Sequence, residues 1–402
     1  MDATSDALRS CDAVIVGGGI IGLAAGWRLR RAGLSVTVVE QGRAGEAASS
    51  AAAGMLAPNA EAEPGETDFL ELARAGLVMW PDFAHELEAY TGADVELRTD
   101  GILMAARTAE EAARLKDSLE QRRRSGAPVE WLEAARTREL EPGLASGTAG
   151  ALFFSRDGQV NNRRASAALA RAFTGAGGVL LQATPVTGLL LRGGRAAGVY
   201  TAAGTIEAGA VILAAGAWAG SLPDWPPEAL PPVHPVKGQM LALRPRRPVP
   251  GRVVWSLPGP GGVYLVPRSD GRVIVGATVE DAGFDTRVTA AGAASLLSAA
   301  MPLIPALAEA ELTGLWAGLR PGSPDHAPVV GAAPIEGLVW ATGHHRNGIL
   351  LAPLTADAVC RVVTGGVRPP HYRAMDCARA AVTAGPAPAG LEQAGEFQGH
   401  NT

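Results

Sequence analysis

The chain has 402 residues, 47% hydrophobic and 19% charged, with 51 Gly, 29 Pro and a net charge of −5. That length holds two or three domains with real cores, and the balance excludes a largely disordered or fibrous chain. Mild acidity gives no electrostatic reason to expect a nucleic acid or an anionic membrane as partner, and Cys11, Cys360 and Cys377 are too few and too scattered for a disulfide scaffold or a zinc site, which fits the cytoplasm.

In chain order, the apolar run Ala13–Val16 predicts a buried parallel strand. Gly17-Gly18-Gly19-Ile20-Ile21-Gly22 follows, then a helical pattern to Ala32 closed by Gly33, and a second strand, Ser35–Val39, ending at Glu40. Asp2, Asp6 and Asp12 beside this opening argue against a secretory leader. A loop rich in Gly, Ala and Ser runs from Gly42 to Pro58, and apolar spacing predicts a helix over Thr67–Tyr90. Gly101–Ala105 reads as a strand and Ala109–Gly126 as a charged surface helix, with Arg122-Arg123-Arg124 as a solvated face. Asn161–Gly175 is a helix, followed by a strand at Val179–Ala183, a turn, and a strand at Ala197–Tyr200. Ala210–Gly216 is an apolar strand running into small residues.

After Trp218 the composition shifts, with Pro223, Pro226, Pro227, Pro231, Pro232 and Pro235 marking a crossover into another unit. That unit alternates like an antiparallel sheet through Gln239–Leu243, Val253–Ser256, Gly262–Val266 and Arg272–Val279. Val288–Ala308 is uncharged, but its small residues and prolines predict a soluble amphipathic helix ending near Met301, with no membrane span. From Val339 to Val363 the chain returns to strand, turn and helix, and the tail beyond Tyr372 is expected to be disordered.

The first glycine cluster carries the chemistry. Gly17 allows the tight turn, Gly19 lets backbone approach a pyrophosphate, and Gly22 lets the helix pack on the sheet. Phosphates would sit at the helix N-terminus, and Glu40 stands where ribose hydroxyls would donate to it. The alternative is a merely tight turn between strand and helix. An antiparallel unit interrupts the nucleotide fold, which returns only near the end, and this interleaved layout points to FAD rather than NAD. The expected fold class is therefore α/β. A Rossmann-type FAD-binding domain is drawn from 1–85, 150–222 and 318–372, and an inserted α+β substrate domain around an antiparallel sheet from 86–149 and 223–317, with 373–402 as tail.

In the second cluster, Gly343-His344-His345-Arg346-Asn347-Gly348, a helix starting near Gly348 would aim its N-terminus at a flat ligand and stabilise a reduced flavin, unless this is an ordinary glycine turn. Adjacent histidines rarely converge on one ion, so no metal is expected.

The sequence resembles the D-amino-acid-oxidase-type flavoproteins, and within them the glycine oxidases of thiamine biosynthesis. The resembling segments are 16–22, 51–56, Pro235-Val236-Lys237-Gly238-Gln239, Tyr264-Leu265-Val266-Pro267-Arg268, Val275-Gly276-Ala277-Thr278, 316–322 and 343–353. The resemblance implies noncovalent FAD lined by Gly17, Gly19, Ile20, Ile21, Gly22, Glu40, Gln41, Ala48, Ser49, Ala53, Gly54, Met55, Val186, Gly216 and His344 to Leu350, including His345, Arg346, Asn347, Gly348 and Ile349. It also implies that Arg320 and Tyr264 bind the substrate carboxylate and Arg346 closes the pocket. By its own residues alone, Arg320 reads first as a structural ion-pair partner.

The reaction so implied is oxidative deamination of glycine or small amines (sarcosine, small D-amino acids) by hydride transfer to flavin. An imine forms and dioxygen is reduced to hydrogen peroxide, with a role in thiazole synthesis. Partners would be the amine and dioxygen, with a homo-oligomer open. Val279 and His345 depart from the family's Met and aromatic residue, leaving substrate preference open. The alternatives are a D-amino-acid dehydrogenase passing electrons to a quinone, a sarcosine oxidase-like enzyme, an NAD-dependent dehydrogenase, and a catalytically inactive flavin binder.

Overall fold

A computed structural model describes residues 10–62, 67–247, 249–257, 262–377 and 379. Its first sheet has a parallel core of five strands in the order Leu338–Thr342, Gly204–Leu213, Ser10–Val16, Val36–Val39, Val179–Leu181, with Val329–Ala332 antiparallel at one end. Numbered along the chain, that core reads 5-4-1-2-3, the doubly wound dinucleotide order, which reverses beside the first strand and opens a crevice there. These strands are near-continuous runs of Val, Ile and Leu because helices bury one face and a hairpin the other. Ile20–Arg31, Asn162–Gly175, Ala352–Thr364 and Thr67–Thr91 pack together over one face around Trp27, Trp80 and Phe83. Val186–Arg192 and Arg195–Thr201 extend Gly204–Leu213 across the other.

The second sheet runs Glu311–Gly322, His234–Arg244, Val273–Gly276, Tyr264–Pro267, Val253–Trp255, Ile102–Ala106, Gly150–Phe154, Val129–Glu133. All its pairs are antiparallel except Val253–Trp255 with Ile102–Ala106. Helix Ala109–Arg124 covers one face and Ala290–Ala300 the other. Thr108 caps the first of these by accepting from Glu111 N–H at 3.2 Å, and its acids and arginines sit at the ends that suit the helix dipole.

Several expectations change. The expected boundary at 318 falls inside the strand Glu311–Gly322, which runs unbroken beside His234–Arg244, and the strand Gly150–Phe154, which the boundary at 150 gave to the nucleotide unit, hydrogen-bonds to Ile102–Ala106 of the second sheet. The strand Val186–Arg192 was expected as a turn, and Glu311–Gly322 was not foreseen as a strand. Of the arginine run, Arg122 is not a solvated residue: it donates to the carbonyls of Asn59 and Ala60 at 3.1 and 3.2 Å and lies over the Phe154 ring. The start of the expected tail is packed, with Met375 and Cys377 buried; residues 380–402 lie outside the described residues. Among the described residues no helix is long and apolar enough to cross a membrane.

Candidate functional site: a dinucleotide cleft with an arginine clamp

A cleft of about 740 Å³ runs between the two sheets, within the usual size of a ligand site. The first glycine turn forms one wall. Gly17 has φ 109°, and a Cβ there would lie 2.4 Å from the Ala214 carbonyl oxygen; at Gly22 it would lie 2.0 Å from that of Gly17. Both glycines are demanded by the chain's own packing. Gly19 is not, since a Cβ there meets only Ser49 Oγ at 3.2 Å. The space in front of Gly19 is therefore left for something other than protein. Ile20 N–H donates to Ser49 Oγ at 2.9 Å, while those of Gly19 and Ile21 find no acceptor among the described residues. Glu40 accepts from Gly18 and Gly42 N–H at 2.7 and 2.8 Å, which fixes the carboxylate at the strand end with lone pairs to spare.

Gln41, Ala48, Ser49, Ala53, Gly54, Met55, Val186 and Gly216 also line the cleft. The segment from Ala48 to Met55 is tied down from behind by Arg268, which is buried and donates to Ala53 O, Asn162 Oδ1 and Gln159 Oε1 at 2.6, 3.0 and 2.8 Å. Burial lowers its pKa to about 10, so it stays charged at neutral pH. A Cβ on Gly318 would lie 2.4 Å from Ala51 Cβ, so the short helix Ala48–Ala51 rests directly on the strand that carries Arg320.

The C-terminal wall is formed by His344, His345, Arg346, Gly348 and Ile349. Gly22, Asn347 and Leu350 lie behind the lining: Asn347 N–H donates to His344 O at 2.8 Å, and the Leu350 carbonyl accepts from Trp80 Nε1 at 3.0 Å in the core. The helix expected near Gly348 begins instead at Ala352, after a turn closed by Leu351 N–H on Asn347 O, with Pro353 in its first turn, where a missing N–H costs nothing. That turn leaves the N–H groups of Gly348, Ile349 and Leu350 without an acceptor among the described residues. His344 Nε2 lies 2.9 Å from Thr355 Oγ1, and His345, at φ 47°, stacks on His326. Burial lowers both pKa values to about 3, aided at His345 by His326 and Arg320, so both rings are neutral at physiological pH. Among the described residues no cluster suits a metal ion.

Arg320 and Tyr264 reach the same cleft from the second sheet. Arg320 Nη1 donates to the Lys237 and Thr278 carbonyls, each at 3.2 Å, and no carboxylate pairs with it among the described residues. A half-buried guanidinium held only by neutral oxygens is set to receive an anion. Gly238 makes room for it, since a Cβ there would lie 2.5 Å from the guanidinium nitrogens. Among the described residues the Tyr264 hydroxyl donates to Met240 Sδ, a weak acceptor, at 3.5 Å; burial pushes its pKa up while neighbouring Arg320 opposes this. Arg346 is held at the cleft by Glu61 through Nε–Oε2 at 2.8 Å.

Sequence reasoning missed Glu61 and the support of Arg320. Lys237, 2% exposed, pairs with Glu280 at 3.4 Å, and Gln239 donates to the same carboxylate at 2.7 Å. One signal was available: Lys237 is one of only two lysines, set amid apolar alternation.

Residues 12–362 match the family described as FAD dependent oxidoreductase. The chain belongs to that family. FAD is accordingly the dinucleotide of this oxidoreductase, and the vacant approach at Gly19 and the unclaimed N–H groups on both walls fit it. No cysteine lines the cleft, which suits noncovalent binding. The oxidoreductase is 39% identical over 355 residues to the glycine oxidase of Geobacillus kaustophilus, covering 88% of this chain and 92% of that one. The crystal structure of glycine oxidase from that organism superimposes with a TM-score of 0.82 at 38% identity, over 90% of this chain and 96% of the other. The bifunctional protein ThiO/ThiG of Trichormus variabilis is 38% identical over 349 residues, covering 87% of this chain but only 52% of that protein. The chain thus spans about half the length of that bifunctional relative.

Proposed function

We propose that the oxidoreductase deaminates glycine and comparably small amines. The observation that carries this is Arg320, a guanidinium without a carboxylate among the described residues, sharing a cleft with the dinucleotide cradle and a phenol that lacks a strong acceptor. Arg320 and Tyr264 would grip the substrate carboxylate, orient its α-carbon and leave the amine free. FAD, when bound, supplies the two-electron acceptor for that carbon and passes the electrons to dioxygen, which leaves as hydrogen peroxide. The amine reacts as the neutral base, its lone pair assisting loss of the α-hydrogen, and the resulting imine hydrolyses to glyoxylate and ammonia. Neutral His344 and His345 add no positive charge beside the amine. No nucleophile or metal is required, and the residues supply position and charge.

Likeness to a glycine oxidase across most of both chains supports the substrate, and likeness to the ThiO/ThiG protein supports a role in making the thiazole of thiamine. We assign the enzyme to the cytoplasm, on the ground that its three cysteines are unpaired. The test is anaerobic mixing of the yellow holoenzyme with glycine, sarcosine, D-alanine and D-proline. Bleaching by glycine, followed by peroxide on admitting air, is expected; a flavin that glycine leaves yellow refutes the proposal. Bleaching without peroxide on re-aeration would favour a dehydrogenase that feeds another acceptor.

A further inference from the structure

The turn Gly216–Trp218 leaves the nucleotide sheet and packs against Glu311–Gly322, the strand that carries Arg320. Trp218 lines the cleft, as do Arg320, Tyr264 and Val279. Its ring is stacked by Phe284, with centroids 5.8 Å apart and planes 25° apart, and Phe284 does not itself line the cleft. Phe284 is the tip of a loop whose two feet are pinned to one residue. Gln239 N–H donates to Thr278 Oγ1 at 2.8 Å at the near foot, and Thr289 N–H donates to Gln239 Oε1 at 2.8 Å at the far foot. Backbone bonds between Lys237 and Glu280 add a second tie at the near foot. Between these feet the loop leaves three apolar side chains in solvent, Val279 at 74%, Phe284 at 45% and Val288 at 36% exposure. Of these, Phe284 is the one whose ring meets Trp218.

We propose that Trp218 is the wall that limits how large a carboxylate ligand the Arg320 clamp admits, and that Phe284 is the positioning residue holding that wall in place. Of the cleft-lining residues on that turn and this loop, Trp218 has the large side chain and Val279 a small one, so the limit falls on Trp218. An offset aromatic pair holds a ring in a preferred plane without a covalent tie. Removing Phe284 therefore frees Trp218 to swing away without touching cofactor or clamp. The inference rests on the carboxylate-binding reading of Arg320 but not on glycine being the substrate.

The test titrates holoenzyme with straight-chain acids, acetate and hexanoate, and follows the perturbed flavin absorbance. The native enzyme is expected to bind acetate at least tenfold more tightly than hexanoate. Phe284→Ala is expected to keep acetate affinity within twofold, retain FAD and shrink the discrimination at least tenfold; Phe284→Tyr is expected to restore it, which a general loosening of the fold would not. Trp218→Ala, which opens the wall directly, is expected to shrink it as far or further. An unchanged ratio in Phe284→Ala overturns the inference. So does a native enzyme that fails to discriminate, whether it binds both acids or neither. If glycine leaves the flavin yellow while the acids still show discrimination that depends on Phe284, the substrate assignment fails and the wall stands.

Discussion

Replacing Arg320 with Ala removes the only part of the clamp that carries charge. In the structure one nitrogen of the guanidinium is spent on two carbonyls at 3.2 Å, leaving the remaining donors of the fork for a ligand. Truncating one partner of a desolvated, hydrogen-bonded charge pair costs ~3–5 kcal/mol. Arg320 is half-buried rather than sealed off, so the lower end of that range, ~3 kcal/mol, is the better guide. At ~1.4 kcal/mol per tenfold, half-saturation by glycine should rise about a hundredfold or more. Rapid anaerobic mixing measures this without involving oxygen: bleaching rates across a glycine series give half-saturation and the limiting rate separately. The variant should purify yellow and melt close to the native enzyme, because among the described residues Arg320 forms no ion pair that holds the two sheets together. Arg320→Lys, which keeps a charge but loses the fork, should fall between the two. A half-saturation within threefold of native in the alanine variant would remove Arg320 from the site and leave it a strand-bracing residue.

Gly238→Ala should reproduce part of that defect with the charge intact, since the new Cβ meets the guanidinium at 2.5 Å and must displace it; glycine half-saturation rises while FAD content holds, and an unaltered value would show that Arg320 works from another pose. Gly19→Val should give a folded, colourless protein, whereas Gly22→Val, 2.0 Å from the Gly17 carbonyl, should fail to fold; thermal melts and flavin absorbance separate the two outcomes. His344 is neutral when folded, with its pKa lowered to about 3, so below pH 6.5 the unfolded chain takes up a proton that the folded one refuses. Stability from this group is therefore full above pH 6.5 and is lost as pH falls, by ~2 kcal/mol between pH 6.5 and 5. His344→Gln should flatten that slope in denaturant melts, and an identical slope would contradict the assignment.

Much of the nucleotide half was legible because its signals are local. Gly17, Gly19 and Gly22 each answer to a different constraint of one turn, and a run such as Val36–Val39 can only be a strand buried on both faces. The second sheet was harder. The strand Glu311–Gly322 begins with exposed residues and carries Gly314 and Gly318, so neither alternation nor propensity announces it; it exists because His234–Arg244 pairs with it along its whole length. The strand Gly150–Phe154 was not anticipated, and its long-range partners place it in the second sheet. The late start of the last helix has the same origin, since the Leu350 carbonyl is taken by Trp80, a residue 270 positions earlier. Likewise Glu61 could not be matched to Arg346, nor Glu280 to Lys237, because spacing along a chain carries no record of which loops meet.

The parallel core ends on Leu338–Thr342, which pairs with Gly204–Leu213, and the wall from His344 to Ile349 follows it. A ribosome must therefore release the chain past residue 349 before the crevice acquires its last side. Until then the nascent product has a glycine turn and a first helix but nothing opposite them to trap a flavin. Colour should consequently arrive only once that strand and the wall after it are out, and any truncation upstream of residue 338 should yield material that never turns yellow.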